Sequence, residues 1–438
     1  MSRELKDSGI AWIGEIPKGW NICRIKDVIC LYTGNSIKDE EKDIYTDKLD
    51  AYPYISTKDI DVVYYTINYD NGLYTKKDDI LFKNADIGSS LVCIEGGSAG
   101  KKKAFVEQKI SFVNKLCCFA PKNINGKYSF YHLCSSNFEF QFNKFVTGLI
   151  GGVSVSVLKN FIMILPPLLE QQKIAEFLDR KCGEIDELVA LQEKMIEELK
   201  AYKQSVITEA VTKGLNPNAP MKDSGIAWIG EIPEHWEMYR IKYNTFLKGR
   251  IGWQGLNSSD FIDEGYCLIT GTDFDNKGGI VWERCYRISK ERFYEDTLLH
   301  VKQGDLLMTK DGTVGKMAYI SELPEEASLN SHLLIIRQTT DQISNKFLYW
   351  TMLSDVFKRF CSIYQSGSIM NSISQTTLGM FCYYSPTLPE QQAIVDYIDR
   401  KCAEIDELVA VKQQKIETLK EYKKSLIYEY VTGKKEII

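Results

Sequence analysis

A long amphipathic pattern occupies the middle of the chain. From Glu170 to Thr212 apolar residues recur every three or four positions, no proline interrupts the stretch, and Pro166-Pro167 come shortly before it. Such spacing is typical of one face of an α-helix. At about 1.5 Å per residue it predicts a helix ~60 Å long. The apolar positions are Ile174, Leu178, Ile185, Leu188, Ile196, Leu199, Tyr202 and Val206.

The same pattern returns near the end of the chain, from Glu390 to Thr432. Its apolar positions are Ile394, Ile398, Ile405, Leu408, Ile416, Leu419, Tyr422 and Leu426. Two such stripes pack against each other as a coiled coil. Because the first helix leads out of one intervening segment and into the next, the second is expected to run back beside it. We therefore predict two long antiparallel helices.

The helices belong to a tandem duplication. Residues 6–20 read KDSGIAWIGEIPKGW, residues 222–236 read KDSGIAWIGEIPEHW, and both helices contain DRKC-x-EIDELVA. Between these repeated frames lie two inserts, about 27–165 and 243–385, that are hardly recognisable as relatives. Neutral drift after the duplication would change frames and inserts to the same extent. Because the frames are nearly identical and the inserts are not, the frames are constrained while the inserts are free to differ. The duplication predicts two globular heads related by a pseudo-twofold axis, at opposite ends of the helix pair.

Both inserts mix short β-rich runs with glycine turns and aromatic segments, which predicts α+β heads of mixed, β-rich structure. Examples of strand-like runs are Ser111 to Phe119 and His332 to Arg337. A faint common skeleton pairs Asp79-Ile80-Leu81 with Asp305-Leu306-Leu307, Asn114 with Asn330, and Gly148 with Gly367. One ancestral fold is therefore expected in both inserts.

Polar residues on the two helices are repeated as faithfully as the apolar stripe, although a coiled coil constrains mainly its seam. This repeated polar face indicates a docking site for a partner, present twice. The alternative is a solvated face retained since the duplication. The residues are Asp179, Arg180, Lys181, Asp186 and Glu187 in the first copy, and Asp399, Arg400, Lys401, Asp406 and Glu407 in the second.

Composition places the chain among folded proteins. It has 438 residues, of which 44% are hydrophobic and 26% charged, so disordered and fibrous classes are excluded. No run of ~20 apolar residues could cross a bilayer and the first residues lack the apolar core of a signal peptide, so a cytoplasmic location without membrane contact is expected. Twelve scattered cysteines are interpreted as reduced thiols. The net charge of -5 argues against a simple nucleic-acid binder, although binding depends on one face only.

Several basic or glycine-rich turns in the inserts are candidates for DNA contact. Lysine and arginine contact phosphates and base edges, and glycine lets the backbone approach closely. Each signal is also compatible with an ordinary solvated loop. The candidates are Lys101, Lys102 and Lys103 behind Gly96-Gly97, Lys310, Thr313 and Lys316 around Gly312, and Arg250 with Trp253.

The sequence lacks the motifs of the catalytic sites that such a chain could carry. The stretches GGSAGKKK and GTVGK lack the spacing and hydroxyl residue of a phosphate-binding loop, and no methyltransferase tetrapeptide of the [DNS]-P-P-[YFW] type occurs. The four histidines and the cysteines show no metal-ligand spacing. The sequence predicts no catalytic residues, no metal site and no cofactor in this chain.

Taken together, these features resemble the specificity subunits of type I restriction-modification systems, over essentially the whole chain. The resemblance rests on the segments PPLLEQQKI and PTLPEQQAI, the long helices that follow, their AVTKG and YVTGK ends, and the repeated GEIPxxW. It implies two target recognition domains, at 1–165 and 222–385. It also implies a central helical region at 166–213, a linker at 214–221 and a distal helical region at 386–438.

The resemblance further implies how such a chain works. It would read double-stranded DNA at an asymmetric, two-part target and perform no chemistry itself. Its helical regions would bind two methyltransferase subunits, and nuclease-translocase subunits would join them. S-adenosylmethionine, ATP and magnesium would then belong to those partners.

Three other interpretations stay open at this point. The chain could serve a related single-chain restriction enzyme, it could be a coiled-coil scaffold with two protein-binding heads, or one insert could hide a nuclease. The scaffold would accommodate the negative charge and would retain no DNA even with its partner present.

Overall fold

The computed structural model describes residues 3–146, 151–250, 256, 258–275, 277–311, 314–365 and 372–437. The chain forms two compact units. Unit 1 comprises Met1–Lys194 and Lys412–Ile438, and unit 2 comprises Met195–Val411. Each unit therefore contains one head, part of the helix that follows it and part of the other helix.

Unit 1 is built around two four-stranded sheets of order β6-β5-β10-β7 and β4-β11-β8-β9. Two-stranded pairs β1-β2 and β12-β3 complete it. The strands are β1 (Leu5–Asp7), β2 (Glu15–Pro17), β3 (Asn21–Arg24), β4 (Ile29–Thr33), β5 (Ala51–Ile55), β6 (Tyr74–Lys76), β7 (Asn84–Ala85), β8 (Ser90–Cys93), β9 (Lys103–Phe105), β10 (Ile110–Phe112), β11 (Leu116–Pro121) and β12 (Ile162–Leu165). The helices are α1 (Ile25–Val28), α2 (Gly126–Cys134), α3 (Ser136–Phe145), α4 (Val155–Leu158) and α5 (Leu168–Lys213), the last of which continues into unit 2.

Unit 2 repeats this plan with sheets β16-β23-β20-β21 and β17-β19-β18-β22 and pairs β13-β14 and β15-β24. The strands are β13 (Met221–Asp223), β14 (Glu231–Pro233), β15 (Glu237–Arg240), β16 (Thr245–Gly249), β17 (Phe261–Ile262), β18 (Tyr266–Ile269), β19 (Tyr286–Ile288), β20 (Leu306–Thr309), β21 (Met317–Tyr319), β22 (Ala327–Leu329), β23 (Leu333–Gln338) and β24 (Cys382–Ser385). The helices are α6 (Ile241–Asn244), α7 (Lys290–Tyr294), α8 (Asn345–Leu353), α9 (Asp355–Gln365), α10 (Gln375–Gly379) and α11 (Leu388–Val431), the last of which ends in unit 1.

The two heads share one fold, as the duplication predicted. In both, an antiparallel sheet is ordered first strand, last strand, then a hairpin, and in both a neighbouring sheet contains a parallel pair, β5 with β10 or β18 with β22. The expected α+β class with two long helices is confirmed.

The sequence alignment of the inserts was wrong at Asp79-Ile80-Leu81. Ile80 and Leu81 are 97% and 70% exposed, whereas Leu306 and Leu307 are fully buried in β20. The strand of unit 1 that has the same pairing as β20 is β8. Two residues before β8, the N–H of Gly88 donates to Val106 O, and two residues before β20, the N–H of Gly304 donates to Ile320 O. Because Gly88 and Gly304 correspond, Ser89 occupies the place of Asp305.

Both long helices form where the periodicity predicted them. Most of the apolar stripe is buried, but Leu188, Leu408, Tyr202 and Tyr422 are 44–54% exposed and were wrongly assigned to the seam. In the first helix the seam passes from Ile185 to Val189, four residues on, which leaves Leu188 outside it.

Contacts within each unit show that the helices run antiparallel there. In unit 1 the rings of Phe177 and Tyr430 lie 4.4 Å apart, and further along α5 Asp186 meets Lys423. In unit 2 Lys203 meets Asp406, and Gly214 lies beside Glu390. In both units, therefore, the residue number along α11 falls as the number of the contacting residue along α5 rises.

The repeated frame motifs contact each other. In unit 1 the indole N–H of Trp20, from GEIPKGW, donates to Glu170 of the first EQQ at 2.8 Å. In unit 2 Trp236 donates to Glu390 at 3.2 Å. These hydrogen bonds attach the start of each head to the start of the helix that follows it, and they explain why both motifs are kept.

The neighbouring glutamine has an equally fixed role. Gln171 is 2% exposed, and its amide donates to Pro166 O and accepts from Asn125 N–H at 2.8 and 2.9 Å. Gln391 is buried in unit 2 with the same bond to Pro386 O. A buried amide must be paired in this way, so the glutamine is structural.

Among the described residues no helix is long and apolar enough to cross a membrane. All twelve cysteines are free thiols, and nine of them are buried.

Candidate nucleic-acid interface

Two turns that the sequence suggested separately occupy the same place in the two heads. In unit 1 the turn joins β8 to β9 and contains Lys101 and Lys102, and Lys103 is the first residue of β9. In unit 2 it joins β20 to β21 and contains Lys310 and Lys316. The two candidate sets are therefore copies of one feature.

Backbone hydrogen bonds establish the correspondence at the ends of the two turns, although the turn of unit 1 is longer. The N–H of Cys93 donates to Lys102 O at 2.9 Å, and the N–H of Thr309 donates to Lys316 O at 2.9 Å. Gly100 and Gly315 follow the same rule, each donating back to the last residue of the strand before the turn. Lys102 and Lys316 are thus equivalent.

A second segment of each head reaches the same turn. Glu95 forms a β-bridge with Gly152 in unit 1, and Asp311 forms one with Ser372 in unit 2. Each turn is thereby bridged to a second segment of its own head, two residues after the strand that precedes the turn.

The three lysines of unit 1 differ in accessibility. Lys101 is exposed, whereas the ammonium group of Lys102 donates to Thr57 O at 2.6 Å. Lys103 is 1% exposed, and its ammonium lies 3.4 Å from a carboxylate oxygen of Glu139. In this arrangement Lys103 does not offer its charge to an external phosphate, because its strand position points into the head.

In unit 2 Lys316 is exposed and Lys310 is half-buried. Beside them Asp311 lies 3.4 Å from the Nδ1 atom of His332. The turn thus combines basic and acidic groups that can contact phosphates and base edges respectively.

Arg250 lies inside the head rather than on its surface. It is 1% exposed, and its guanidinium donates to Leu329 O at 3.1 Å and to Ser328 Oγ at 3.3 Å. Glu295 lies 3.7 Å away. Burial lowers the pKa of Arg250 from its usual value. These contacts give Arg250 a structural role in the described state.

Trp253 and Thr313 lie outside the described residues, as do Gly148 and Gly367 of the common skeleton. Their suggested roles stay predictions. The same holds for DNA contact by each lysine named above.

A second pair of equivalent turns was not predicted from the sequence. Ser56 N–H donates to Asp59 at 2.8 Å, and Thr270 N–H donates to Asp273 at 2.7 Å. Each turn opens a hairpin. The available signal was the pair of segments STKDID and TGTDFD, which share serine or threonine followed three residues later by aspartate.

Some of the repeated polar helix residues serve the chain itself. The hydroxyl of Tyr131 donates to Asp179 at 2.7 Å, and the indole of Trp350 donates to Asp399 at 2.9 Å. These bonds attach α2 or α8 of each head to a long helix, so the aspartates need no external partner to explain their repetition.

Two more of these residues join the helices to each other. Asp186 accepts two hydrogen bonds of 2.7 Å from Lys423 in unit 1, and Asp406 accepts two of 2.7 Å from Lys203 in unit 2. Each pair takes its aspartate from one repeat and its lysine from the other. Burial raises the pKa of Asp186, and Lys423 opposes that rise.

The remaining members of the repeated polar face lie at the surface. Lys181 and Lys401 each pair with a glutamate three residues on, at 2.7 Å. The exposed members are Arg180, Arg400, Glu187 and Glu407. This smaller set is the part of the face that is open to a partner.

We expect the two helix ion pairs to differ in strength. Lys423 is 9% exposed and Lys203 28% exposed. Lys423→Met leaves a half-buried carboxylate without its charged donor and should cost about 1–3 kcal/mol. Lys203→Met, the matched control, should cost less than about 1 kcal/mol because solvent screens that pair. Hydrogen exchange of peptides from the unit concerned measures both.

The pH dependence gives a further check on this pair. Protonated Asp186 needs no counter-charge, so the deficit of Lys423→Met should shrink as pH falls through the carboxyl range. Equal deficits in the two variants, unchanged by acid, would contradict the assignment.

A family model described as the type I restriction modification DNA specificity domain matches residues 17–201 and 252–421. The type I restriction enzyme MjaVIII specificity subunit of Methanocaldococcus jannaschii is 26% identical over 432 residues, which are 96% of this chain and 93% of that protein. The EcoBI specificity subunit of Escherichia coli is 22% identical over 73% of this chain and 66% of its own length.

Solved structures show the same fold. One chain, from work on complex assembly and conformational transition of the type I R-M system, has a TM-score of 0.71 at 16% identity and covers 95% of this chain and 98% of its own. The HsdS subunit from Thermoanaerobacter tengcongensis has a TM-score of 0.50 at 17% identity, with the same coverage.

Proposed function

Because this chain belongs to the family of the type I restriction modification DNA specificity domain, we propose that it is the DNA-reading subunit of such a system. The observation that carries the proposal is the equivalence of the β8–β9 and β20–β21 turns. Two heads of one fold present equivalent glycine-rich turns with different side chains, as a reader of two unlike half-sites requires. The target is then asymmetric and in two parts, with a fixed gap.

Within this proposal the interface consists of Lys101, Lys102, Lys310 and Lys316 with the segments bridged to their turns. Phosphate contacts position the turn, and the acidic and polar groups beside it read base edges. Buried Lys103 and Arg250 are left out and support the heads instead.

The partners follow from the same proposal. Two methyltransferase subunits dock on the helices, where Arg180, Glu187, Arg400 and Glu407 are exposed, and nuclease-translocase subunits join them. The chain itself performs no chemistry, and S-adenosylmethionine, ATP and magnesium act in the partners. The absence of phosphate-loop and methyltransferase motifs from the sequence supports this division.

We expect the chain to retain duplex DNA when it is purified with the methyltransferase encoded beside it. Lys316→Ala should weaken binding and reduce the slope of log affinity against log salt by about 1, since one phosphate contact is lost. Lys103→Met is the matched control, because unit 2 carries Met317 at that strand position, and it should leave the slope unchanged.

The same titration tests the origin of the phosphate contacts. With a net charge of -5, the isolated chain should show a shallower salt slope than the complex, to which methyltransferases add basic surface. A steep slope for the chain alone would show that the chain itself, and not the methyltransferases, supplies most of the phosphate contacts. No DNA retention by the intact complex would instead favour the protein-binding scaffold.

A further inference from the structure

The second pair of equivalent hairpins differs between the heads. Ile60 and Ile67 close the hairpin in unit 1, and Phe274 and Ile280 close it in unit 2. The loop of unit 1 reads DVVYYT, whereas that of unit 2 reads DNKGG. One tip therefore carries two tyrosines and the other carries no aromatic residue.

In unit 1 both tyrosines of the hairpin are seated against the long helices and α2. The hydroxyl of Tyr64 donates to Glu193 at 2.8 Å. The ring of Tyr65 meets Phe130 edge-on at 6.2 Å, and the ammonium of Lys423 lies 5.1 Å from its centre. Edge-on aromatic and cation–π contacts of this kind are favourable.

The backbone of Tyr65 shows that these contacts decide its conformation. Its φ is +57°, in the left-handed region, which is uncommon for a bulky side chain. Such a conformation persists only where surrounding contacts determine it. The hairpin of unit 1 therefore fills the space between α2 and the two long helices with the side chain of Tyr65.

In unit 2 a groove of about 1220 Å³ lies at the corresponding place. The side chains that lie around Tyr65 in unit 1 are Cys134, Glu139, Cys182 and Asp186. Their counterparts, which all line the groove, are Leu353, Lys358, Cys402 and Asp406. The socket for the tyrosine is thus repeated in unit 2 without the tyrosine.

The hairpin of unit 2 cannot supply the missing side chain at its described tip. A Cβ atom on Gly278 would lie 1.9 Å from the hydroxyl of Tyr349, the counterpart of Phe130. Only glycine fits there, with a φ of +81°.

The charges in the groove do not select a nucleic acid. Of the six lysines in the lining, four are paired with carboxylates: Lys200 with Glu197, Lys203 with Asp406, Lys346 with Asp399 and Lys358 with Asp355. The other two, Lys277 and Lys316, are fewer cations than a chain of phosphates along the groove would need, and Lys316 is already assigned to DNA. The remaining wall is largely apolar and includes Ile207, Leu353 and Val409, which suits an aromatic ring.

We propose that this groove receives an aromatic side chain presented on a loop of a partner protein, as Tyr65 is presented from within the chain in unit 1. The inference rests on the proposed docking of a protein partner on the helices. It adds that the partner carries an aromatic side chain for the groove of unit 2. The two docking sites are then inequivalent, because Tyr65 already fills the corresponding space in unit 1.

The hairpin of unit 1 supplies the probe. A cyclic peptide of residues 60–67 should bind the full-length chain in an anisotropy titration. A matched peptide with both Tyr64→Ala and Tyr65→Ala should bind at least about tenfold more weakly, the factor that a well-packed ring supplies.

Two groove variants complete the experiment. A chain in which DVVYYT replaces residues 275–279, and in which Tyr349→Phe removes the hydroxyl that faces Gly278, should fill its own groove and lose the peptide. Ala410→Trp, at an exposed helix position in the lining, should also lose it without demanding that a grafted hairpin fold.

The proposal is overturned if the peptide does not bind the chain saturably, if the alanine peptide binds equally, or if Ala410→Trp leaves binding intact. The titration contains no DNA and no methyltransferase. Its failure therefore leaves DNA retention by the complex untouched, and loss of DNA retention leaves the peptide result untouched.

Discussion

Arg337→Ala should destabilise unit 2 by about 3–5 kcal/mol, because it leaves a buried carboxylate without its counter-charge. Asp305 is 1% exposed and accepts two hydrogen bonds of 2.6 Å from Arg337, in a two-pronged arrangement. The arginine also donates to His300 O at 3.0 Å. Hydrogen exchange should rise in β20 and β23, while peptides from unit 1 provide the internal control.

The residues of unit 1 at the equivalent positions suggest a second substitution that should restore the stability lost in Arg337→Ala. Unit 1 carries Ser89 at the place of Asp305 and Ala120 at the place of Arg337, in the same sheet. The double variant Asp305→Ser, Arg337→Ala should therefore recover more than half of the lost protection, since neither charge remains. If the double variant is as unstable as the single one, the buried carboxylate is not the cause.

Exchange of the second insert should replace one half of the recognised DNA sequence. The structure sets the boundaries at residues 245–381, from the start of β16 to the residue before β24, because this keeps the β15–β24 pair and the helices native. Each lost base-pair match costs about 1–3 kcal/mol, so a few mismatches remove the old half-site entirely. The methylated motif of cells carrying the exchanged chain measures this.

The other half-site and the gap serve as controls for that exchange. Both should persist, because unit 1 and the helices are unchanged. A motif altered in both halves would show that the heads do not read independently, and an unaltered motif would place the reading residues outside the insert.

The long helices and the shared head fold could be predicted because each leaves a repeated signal in the sequence. A periodic apolar stripe needs only local geometry to become a helix, and a duplicated frame requires a duplicated fold. Glycine and charge are concentrated in loops, and Lys101, Lys102, Lys310 and Lys316 do lie in turns, as that pattern predicted.

Side-chain direction was not predictable in the same way. Lys103 belongs to a run of three lysines, but the strand that begins there turns its side chain into the head toward Glu139. Arg250 follows a glycine and reads as a surface residue, yet its partners Ser328 and Leu329 come from a strand ~80 residues later. Such long-range pairing leaves no local signal.

The repeated polar helix residues show a further limit. Repetition alone cannot separate a docking face from internal contacts, and here part of the repeated set makes internal contacts. Asp179 and Asp186 bind within the chain, as do Asp399 and Asp406. Asp179 and Asp399 bind aromatic residues of α2 and α8, outside the long helices. Asp186 and Asp406 bind lysines of the other repeat.

The most direct test of DNA reading is the methylome of a naive host that expresses this chain together with the methyltransferase encoded beside it. The account predicts one new asymmetric methylated motif in two parts with a fixed gap. If both proteins are folded, complexed and active and no such motif appears, the chain does not direct methylation to a sequence, and the protein-binding scaffold takes its place.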